Sequence, residues 1–218
     1  MAKLVIFDCD GTLVDSELLC NQGLSEQLAS IGVDISGDEL VQRFRGVEFD
    51  VILQALITER GFSVPENFEA DYRQTVTRLF DQHLQPIEGA SAVLSQLKTT
   101  KCVASSAPRT KIEQSLTVTG LRSYFGNEIF SCYDIGVWKP QPDIFLHAAK
   151  AMSVQPEECC VIEDSDVGVA AALAAGMTCF HYRPHGHLKS VHGEIPFRHM
   201  NELLELVQNH TDSILGSR

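Results

Sequence analysis

Four short, mainly apolar runs constrain this chain most: Leu4–Asp8, which is continuous up to its final aspartate, and the similar Cys102–Ser105, Cys159–Ile162 and Thr178–Tyr182. A half-exposed strand alternates apolar and polar residues. A strand that does not alternate is covered on both faces. Helical spacing fills the gaps. Ala92, Val93 and Leu97 suit one helix. Phe145, Ala148, Ala149 and Met152 suit another, after the breaker Lys139-Pro140-Gln141-Pro142. Val167, Ala170, Ala171 and Ala174 suit a third, closed by Gly176. Strands alternating with helices predict an α/β fold, a Rossmann-like core with a mostly parallel sheet. Such sheets bind ligands beyond the carboxyl ends of their strands. The first three runs end in Asp8, Ser105-Ser106 and Glu163-Asp164, so these polar clusters are expected to converge there.

One stretch breaks the alternation. Residues 16–84 carry helical periodicity and no convincing strand: Leu24, Leu28, Ile31; Leu40, Val41, Phe44; Val51, Ile52, Ala55, Leu56; and Phe68, Tyr72, Val76, Leu79, Phe80. Gly32, Gly46, Gly61 and Pro65 punctuate the segments. An all-helical block after the first strand reads as an inserted cap. The expected organisation is a discontinuous α/β core, 1–15 and 85–218, with a helical cap at 16–84; 218 residues suffice for both.

Seventeen basic against 29 acidic residues give a net charge of −12, which argues against nucleic acid held on a broad basic surface. No apolar run approaches the roughly 20 residues of a membrane helix. The N-terminus lacks a signal-peptide pattern, so the cytoplasm is the expected compartment and no membrane partner is expected. Seven cysteines, an odd count without CxxC spacing, read as reduced core thiols. His181, His185, His187, His192 and His199 crowd a region with Pro184, Gly186 and Gly193; a surface loop is expected there, since the spacings fit no zinc pattern.

The chemistry begins at Asp8 and Asp10. Two carboxylates held close repel, and a hard divalent cation with oxygen ligands relieves this; Mg²⁺ is the usual choice with phosphate substrates. Glu163-Asp164 can bring a further carboxylate from another strand. Ser105 and Ser106 can donate hydrogen bonds, and Lys139 offers a point charge suited to phosphate. Together these residues suit metal-assisted phosphoryl transfer, with charge on the transferring group neutralised while a carboxylate attacks it.

FDCDGTLVDSE, VASSAPRTK, WKPQPDIF and VIEDSDVG, in this order and spacing, resemble the four signatures of the haloacid dehalogenase superfamily. The resemblance covers essentially the whole chain, and the helical insert resembles the C1 cap of the β-phosphoglucomutase-like subgroup. It implies Asp8 as the nucleophile that forms an aspartyl-phosphate. It implies Asp10 as the acid that protonates the leaving oxygen and then the base that activates water. Asp8, the Asp10 carbonyl and Asp164 would ligate Mg²⁺, with Glu163 in or next to the metal shell. Ser105, Ser106, Lys139 and the backbone near Cys9 would hold the phosphoryl group, and Thr12 would assist positioning. Dehalogenases proper and phosphonate hydrolases of the superfamily lack an acid two residues after the nucleophile, so Asp10 favours phosphate esters. Related transport ATPases need transmembrane helices.

Arg43-Phe44-Arg45-Gly46-Val47 resembles the substrate-specificity loop of C1 caps, where Arg45, and with it Arg43 and Gly46, would meet a sugar acid. A helix end with solvated cations is the plainer reading of the same residues. FRGV, TRLFD, PIEGA and VWKPQPDIFLHAAKAM are similar to bacterial 6-phosphogluconate phosphatases, although Ser106-Ala107 stands where those relatives tend to carry Asn-Gly. The implied reaction is hydrolysis of a small phosphorylated sugar or sugar acid by a monomer or weak homo-oligomer. A phosphosugar mutase is the alternative, and a non-catalytic phospho-ligand sensor a lesser one.

Overall fold

In the computed structural model, residues 2–44, 47, 49–185 and 187–216 are described, with side chains as far as residue 210. In chain order the elements are β1 (Leu4–Phe7), α1 (Glu17–Ser30), α2 (Gly37–Phe44), α3 (Phe49–Arg60), α4 (Phe68–His83), α5 (Ala90–Gln96), β2 (Thr100–Ser105) and α6 (Arg109–Val118). There follow β3 (Ile129–Ser131), α7 (Cys132–Ile135), α8 (Asp143–Ala151), β4 (Cys159–Glu163), α9 (Asp166–Ala174), β5 (Thr178–Tyr182), β6 (Ile195–Phe197) and α10 (Leu203–Gly216). The chain divides into two units, Met1–Val14 with Pro86–Arg218, and Asp15–Gln85.

The first unit is built on a six-stranded sheet of order β3-β2-β1-β4-β5-β6 in which every described pairing is parallel. β1 lies centrally and all four of its residues are buried, each worth about 1.5–3 kcal/mol of apolar burial. On one face Leu4, Ile6, Cys102, Ala104 and Val161 pack with Phe145, Ala148, Ala171 and Ala172 from α8 and α9. On the other, Phe7 meets Phe125 edge-on at 6.0 Å. Register sets the site: Phe7 lies opposite Val103 of β2 and Ile162 of β4. Asp8 and Glu163 therefore emerge side by side, and Ser105 two residues past Val103. All seven cysteines are free and six are buried.

Three features differ from the sequence-based expectation. β3 and β6, the sheet edges, were not foreseen; three residues are too few to show a pattern, and Pro196 is tolerated because β6 is an edge. α9 buries Gly168, Val169, Ala171 and Ala172, while Val167 is exposed. A helix of alanines carries little periodic signal: of the expected Val167, Ala170, Ala171 and Ala174 only Ala171 is buried, and Gly168, Val169 and Ala172 complete the inner face. His181, grouped with the loop histidines although it falls in the Thr178–Tyr182 run, lies buried in β5 as that run requires; His185, His187, His192 and His199 are exposed.

The second unit is helical. Leu24, Leu28, Leu40, Ile52, Leu56 and Phe68 form its core, and Phe49 stacks on Tyr72 at 4.4 Å. Gly23 lets α1 and α4 approach: a Cβ there would lie 2.8 Å from a Val76 methyl. Val51, expected on the α3 stripe, is exposed, and Leu53 is buried instead.

Candidate active site

Asp8 is the first residue past β1, and its amide is tied to the Ile162 carbonyl at 2.9 Å. Lys139 stands in the turn before α8 and reaches back to it. The Nζ donates to Asp8 Oδ1 at 2.5 Å and to Glu163 Oε1 at 2.6 Å. This lysine side chain is only 3% exposed and its ammonium lies 5.1 Å from the Phe145 ring centre. A buried ammonium without partners would discharge; two carboxylates at this distance keep it charged. Burial alone lowers the Lys139 pKa, but Asp8 and Glu163 outweigh it and the net shift is upward.

Glu163 ends β4. Its second oxygen, Oε2, accepts from the Asp164 amide at 2.9 Å, the Ser165 amide at 2.9 Å and the Ser165 hydroxyl at 2.8 Å. Ser165 in turn caps α9 by accepting from the Gly168 amide at 3.1 Å. The Glu163 carboxylate occupies the space that a Cβ on residue 168 would need. Gly168→Ala is therefore expected to displace Glu163, lowering stability by about 1–3 kcal/mol and reducing turnover. A thermal melt with parallel phosphatase assays checks this, and an unchanged melting temperature would refute the packing argument.

Asp164 follows directly. Thr12, fully buried, donates to its Oδ1 at 3.2 Å. Gly11 has φ +79°, and a Cβ there would collide with the Asp164 carboxylate; the turn after Asp10 needs glycine for both reasons. His181 Nε2 lies 3.0 Å from the Asp164 carbonyl and ties this turn to β5. Oxygens of Asp8, Glu163 and Asp164 lie within 4.8 Å of one another, the group among the described residues that can hold a metal ion.

Asp10 accepts from Lys111 Nζ at 2.9 Å through Oδ2. Lys111 was not singled out in the sequence; the available signal was a cation one turn into the helix after Ser105-Ser106. Ser105 is buried and its hydroxyl accepts from the Ala107 amide at 3.1 Å, which leaves its own hydrogen to donate. The Ser106 hydroxyl accepts from the Cys132 thiol at 3.8 Å. The Ala107 carbonyl is held by the Ser131 hydroxyl at 2.6 Å. Cys9 is buried, its carbonyl accepts from the amides of Leu13 and Val14, and burial pushes its thiol pKa well upward, so it can meet a ligand through backbone alone.

The structure thus brings Asp8, Lys139, Glu163, Asp164 and Thr12 together, with Asp10 and Lys111 paired beside Asp8. In the helical unit Arg43 pairs with Glu39 at 3.3 Å and with Glu59, so its guanidinium already has two carboxylate partners. Arg45 and Gly46 lie outside the described residues. Arg109 pairs with Asp134 at 2.6 Å.

Four carboxylates, Asp8, Asp10, Glu163 and Asp164, face two ammonium groups, Lys139 and Lys111. Burial pushes Asp8 up to about 7 against the pull of Lys139, and burial with Glu163 and Asp8 nearby pushes Asp164 up. With all four carboxylates ionised the set carries two excess negative charges, and an all-oxygen donor set of that charge fits a hard divalent cation.

An aspartate on a rigid central strand, screened by a buried lysine and flanked by a second aspartate, is equipped for covalent phosphoryl transfer. Fold and site together define a hydrolase of the α/β class with an acidic, lysine-screened site at the end of its central strand. The chain belongs to the haloacid dehalogenase-like hydrolase family, whose model matches residues 2–176. It is 39% identical over 208 residues to the 6-phosphogluconate phosphatase of Escherichia coli, covering 94% of both chains. A β-phosphoglucomutase of Bacillus subtilis is 29% identical over 80% of each chain. A haloacid dehalogenase-like protein from Agrobacterium tumefaciens superposes with a TM-score of 0.82 at 31% identity, over 97% of this chain and 100% of that one. The chain is a phosphatase of this family. Among the described residues no helix is long and apolar enough to cross a membrane.

Proposed function

We propose that this enzyme is a Mg²⁺-dependent phosphomonoester hydrolase that acts on a small phosphorylated sugar acid, 6-phosphogluconate first, through an aspartyl-phosphate on Asp8. The buried Asp8–Lys139–Glu163 arrangement carries the reaction class. The 39% identity to the Escherichia coli enzyme carries the substrate class. Asp8, Asp164 and the Asp10 carbonyl would hold Mg²⁺, which would supply charge neutralisation between the phosphoryl group and the carboxylates. Glu163, already holding Lys139, supports them.

In the first half-reaction a carboxylate oxygen of Asp8 bonds to phosphorus. The phosphorus–oxygen bond to the sugar breaks, and the leaving oxygen takes its electron pair and a proton from Asp10. Ser105 and Lys139 donate to the phosphoryl oxygens. In the second, Asp10 takes a proton from water as the water oxygen bonds to phosphorus. The bond to Asp8 then breaks and the carboxylate is restored. Each half is a simpler displacement than direct attack of water.

The mutase reading has less support, resting on relatives of lower identity such as the Bacillus subtilis enzyme. The sensor reading is disfavoured by the intact set of Asp8, Asp10, Ser105, Lys139 and Asp164. We place the enzyme in the cytoplasm as a monomer or weak homo-oligomer; free buried thiols suit a reducing compartment. The test is inorganic phosphate release from 6-phosphogluconate, other sugar phosphates, phosphoglycolate and nucleotides, with Mg²⁺ and with a chelator. Highest kcat/KM on 6-phosphogluconate is expected. A preference for phosphoglycolate or nucleotides would overturn the substrate, and isomerisation of glucose 1-phosphate without phosphate release would overturn hydrolysis.

The cation has a signature independent of turnover. The raised pKa values of Asp8 and Asp164 mean that protons compete for the site more strongly at pH 5 than at pH 8. Mg²⁺ is therefore expected to raise the melting temperature more at pH 8 than at pH 5. Equal shifts at the two pH values would refute carboxylate coordination.

A further inference from the structure

Lys111 enters the site from an element separate from those that carry Lys139 and the acidic pair. It stands in the first turn of α6, with its amide on the Pro108 carbonyl at 3.0 Å. The mount is firm. Ile112, Ser115 and Leu116 of α6 are buried, the Arg109–Asp134 pair ties its start to α7, and the Ser131 hydroxyl holds the preceding Ala107 carbonyl. From there the ammonium reaches across 101 residues of sequence to Asp10 Oδ2 at 2.9 Å.

Each aspartate therefore has its own lysine, and the two pairs differ in kind. Asp8 and Lys139 are 8% and 3% exposed at the side chain, a buried electrostatic unit. Asp10 and Lys111 are 31% and 26% exposed. An ion pair that open to solvent contributes little to stability. What it does contribute is orientation: Asp10 follows β1 on a glycine turn, and one of its two oxygens is committed to a cation mounted on a buried helix. A carboxylate that must meet a leaving oxygen and later a water depends on such orientation, since a small misplacement costs about 10²-fold.

We infer that Lys111 is a positioning residue for proton transfer, holding Asp10 where it protonates the leaving sugar oxygen. The inference rests on the phosphatase reading and on Asp10 as the acid. The bookkeeping is that of the first half-reaction above; Lys111 keeps its own proton throughout.

Leaving groups that differ in their need for a proton test this. An alkyl ester needs the proton from Asp10 as its bond breaks, whereas p-nitrophenolate leaves without one. kcat/KM reports steps up to departure of the leaving group, so the common dephosphorylation step does not enter it. Lys111→Met and Lys111→Gln are expected to lower kcat/KM on 6-phosphogluconate by about 10- to 100-fold and on p-nitrophenyl phosphate by less than about 3-fold. Lys111→Arg, which keeps a cation within reach, is expected to recover most of the loss. Equal losses on the two esters, or no loss on either, would overturn the inference. The wild-type enzyme run alongside separates the readings. If it releases no phosphate from 6-phosphogluconate, the substrate assignment fails, and glycerol 2-phosphate serves as the alkyl ester for the same comparison.

Discussion

Asp8→Asn is expected to abolish turnover, by about 10⁴-fold or more, while the folded chain persists. The substitution keeps shape and removes only the charge of the proposed nucleophile. Its cost to the fold is small because Asp8 is not a comfortable carboxylate. Burial pushes its pKa up to about 7, against the opposing pull of Lys139. The sign follows directly. In metal-free protein the native state retains a proton that the unfolded chain has lost between pH 4 and pH 7, so stability falls as pH rises through that window. Asp8→Asn removes this contribution. Its melting temperature in chelator is expected to equal or exceed that of the wild type at pH 8, with the two converging at low pH. Phosphate release and circular-dichroism melts check both halves. Residual turnover near the wild-type level would refute Asp8 as nucleophile.

Lys139→Met is expected to be the most damaging change to stability. Among the described residues Lys139 is the cation shared by Asp8 and Glu163, at 2.5 and 2.6 Å, and all three side chains are buried. Removing one partner of a buried ion pair costs about 3–5 kcal/mol because charge is left uncompensated. Methionine keeps an apolar stem against Phe145, so the loss reports the charge and not a cavity. Turnover is expected to fall about 10²- to 10³-fold, the scale for losing a preorganised donor to a developing charge. Mg²⁺ adds positive charge to the same carboxylates, so the drop in melting temperature is expected to be larger in chelator than in Mg²⁺. A drop of equal size in both conditions would mean that Lys139 acts through packing alone.

The parts of the site that were legible in the sequence are those whose position is local. Asp8, Ser105 and Glu163-Asp164 each end an apolar run, and a parallel sheet must deliver strand ends to one edge. Lys139 stood out because a proline turn follows it. The parts that were not legible are pairings between distant residues. Glu163 was expected in or beside the metal shell. Four donors, Lys139 among them, engage its carboxylate, and its oxygens also lie with those of Asp8 and Asp164. In the sequence His181 groups with four loop histidines, yet its ring meets the Asp164 carbonyl at 3.0 Å.

The sequence by itself determined the α/β class, the helical stretch after the first strand and the order of the site residues. Each of these follows from runs, periods and spacings within a few residues, whereas the reaction class came from the resemblance of four motifs to the family's signatures. Only the tertiary structure decided which carboxylate each lysine serves, which face of α9 is buried and why Gly11 and Gly168 must lack side chains. Those depend on atoms brought together from across the chain, where an ammonium a few ångströms from one carboxylate and not another changes what each can do.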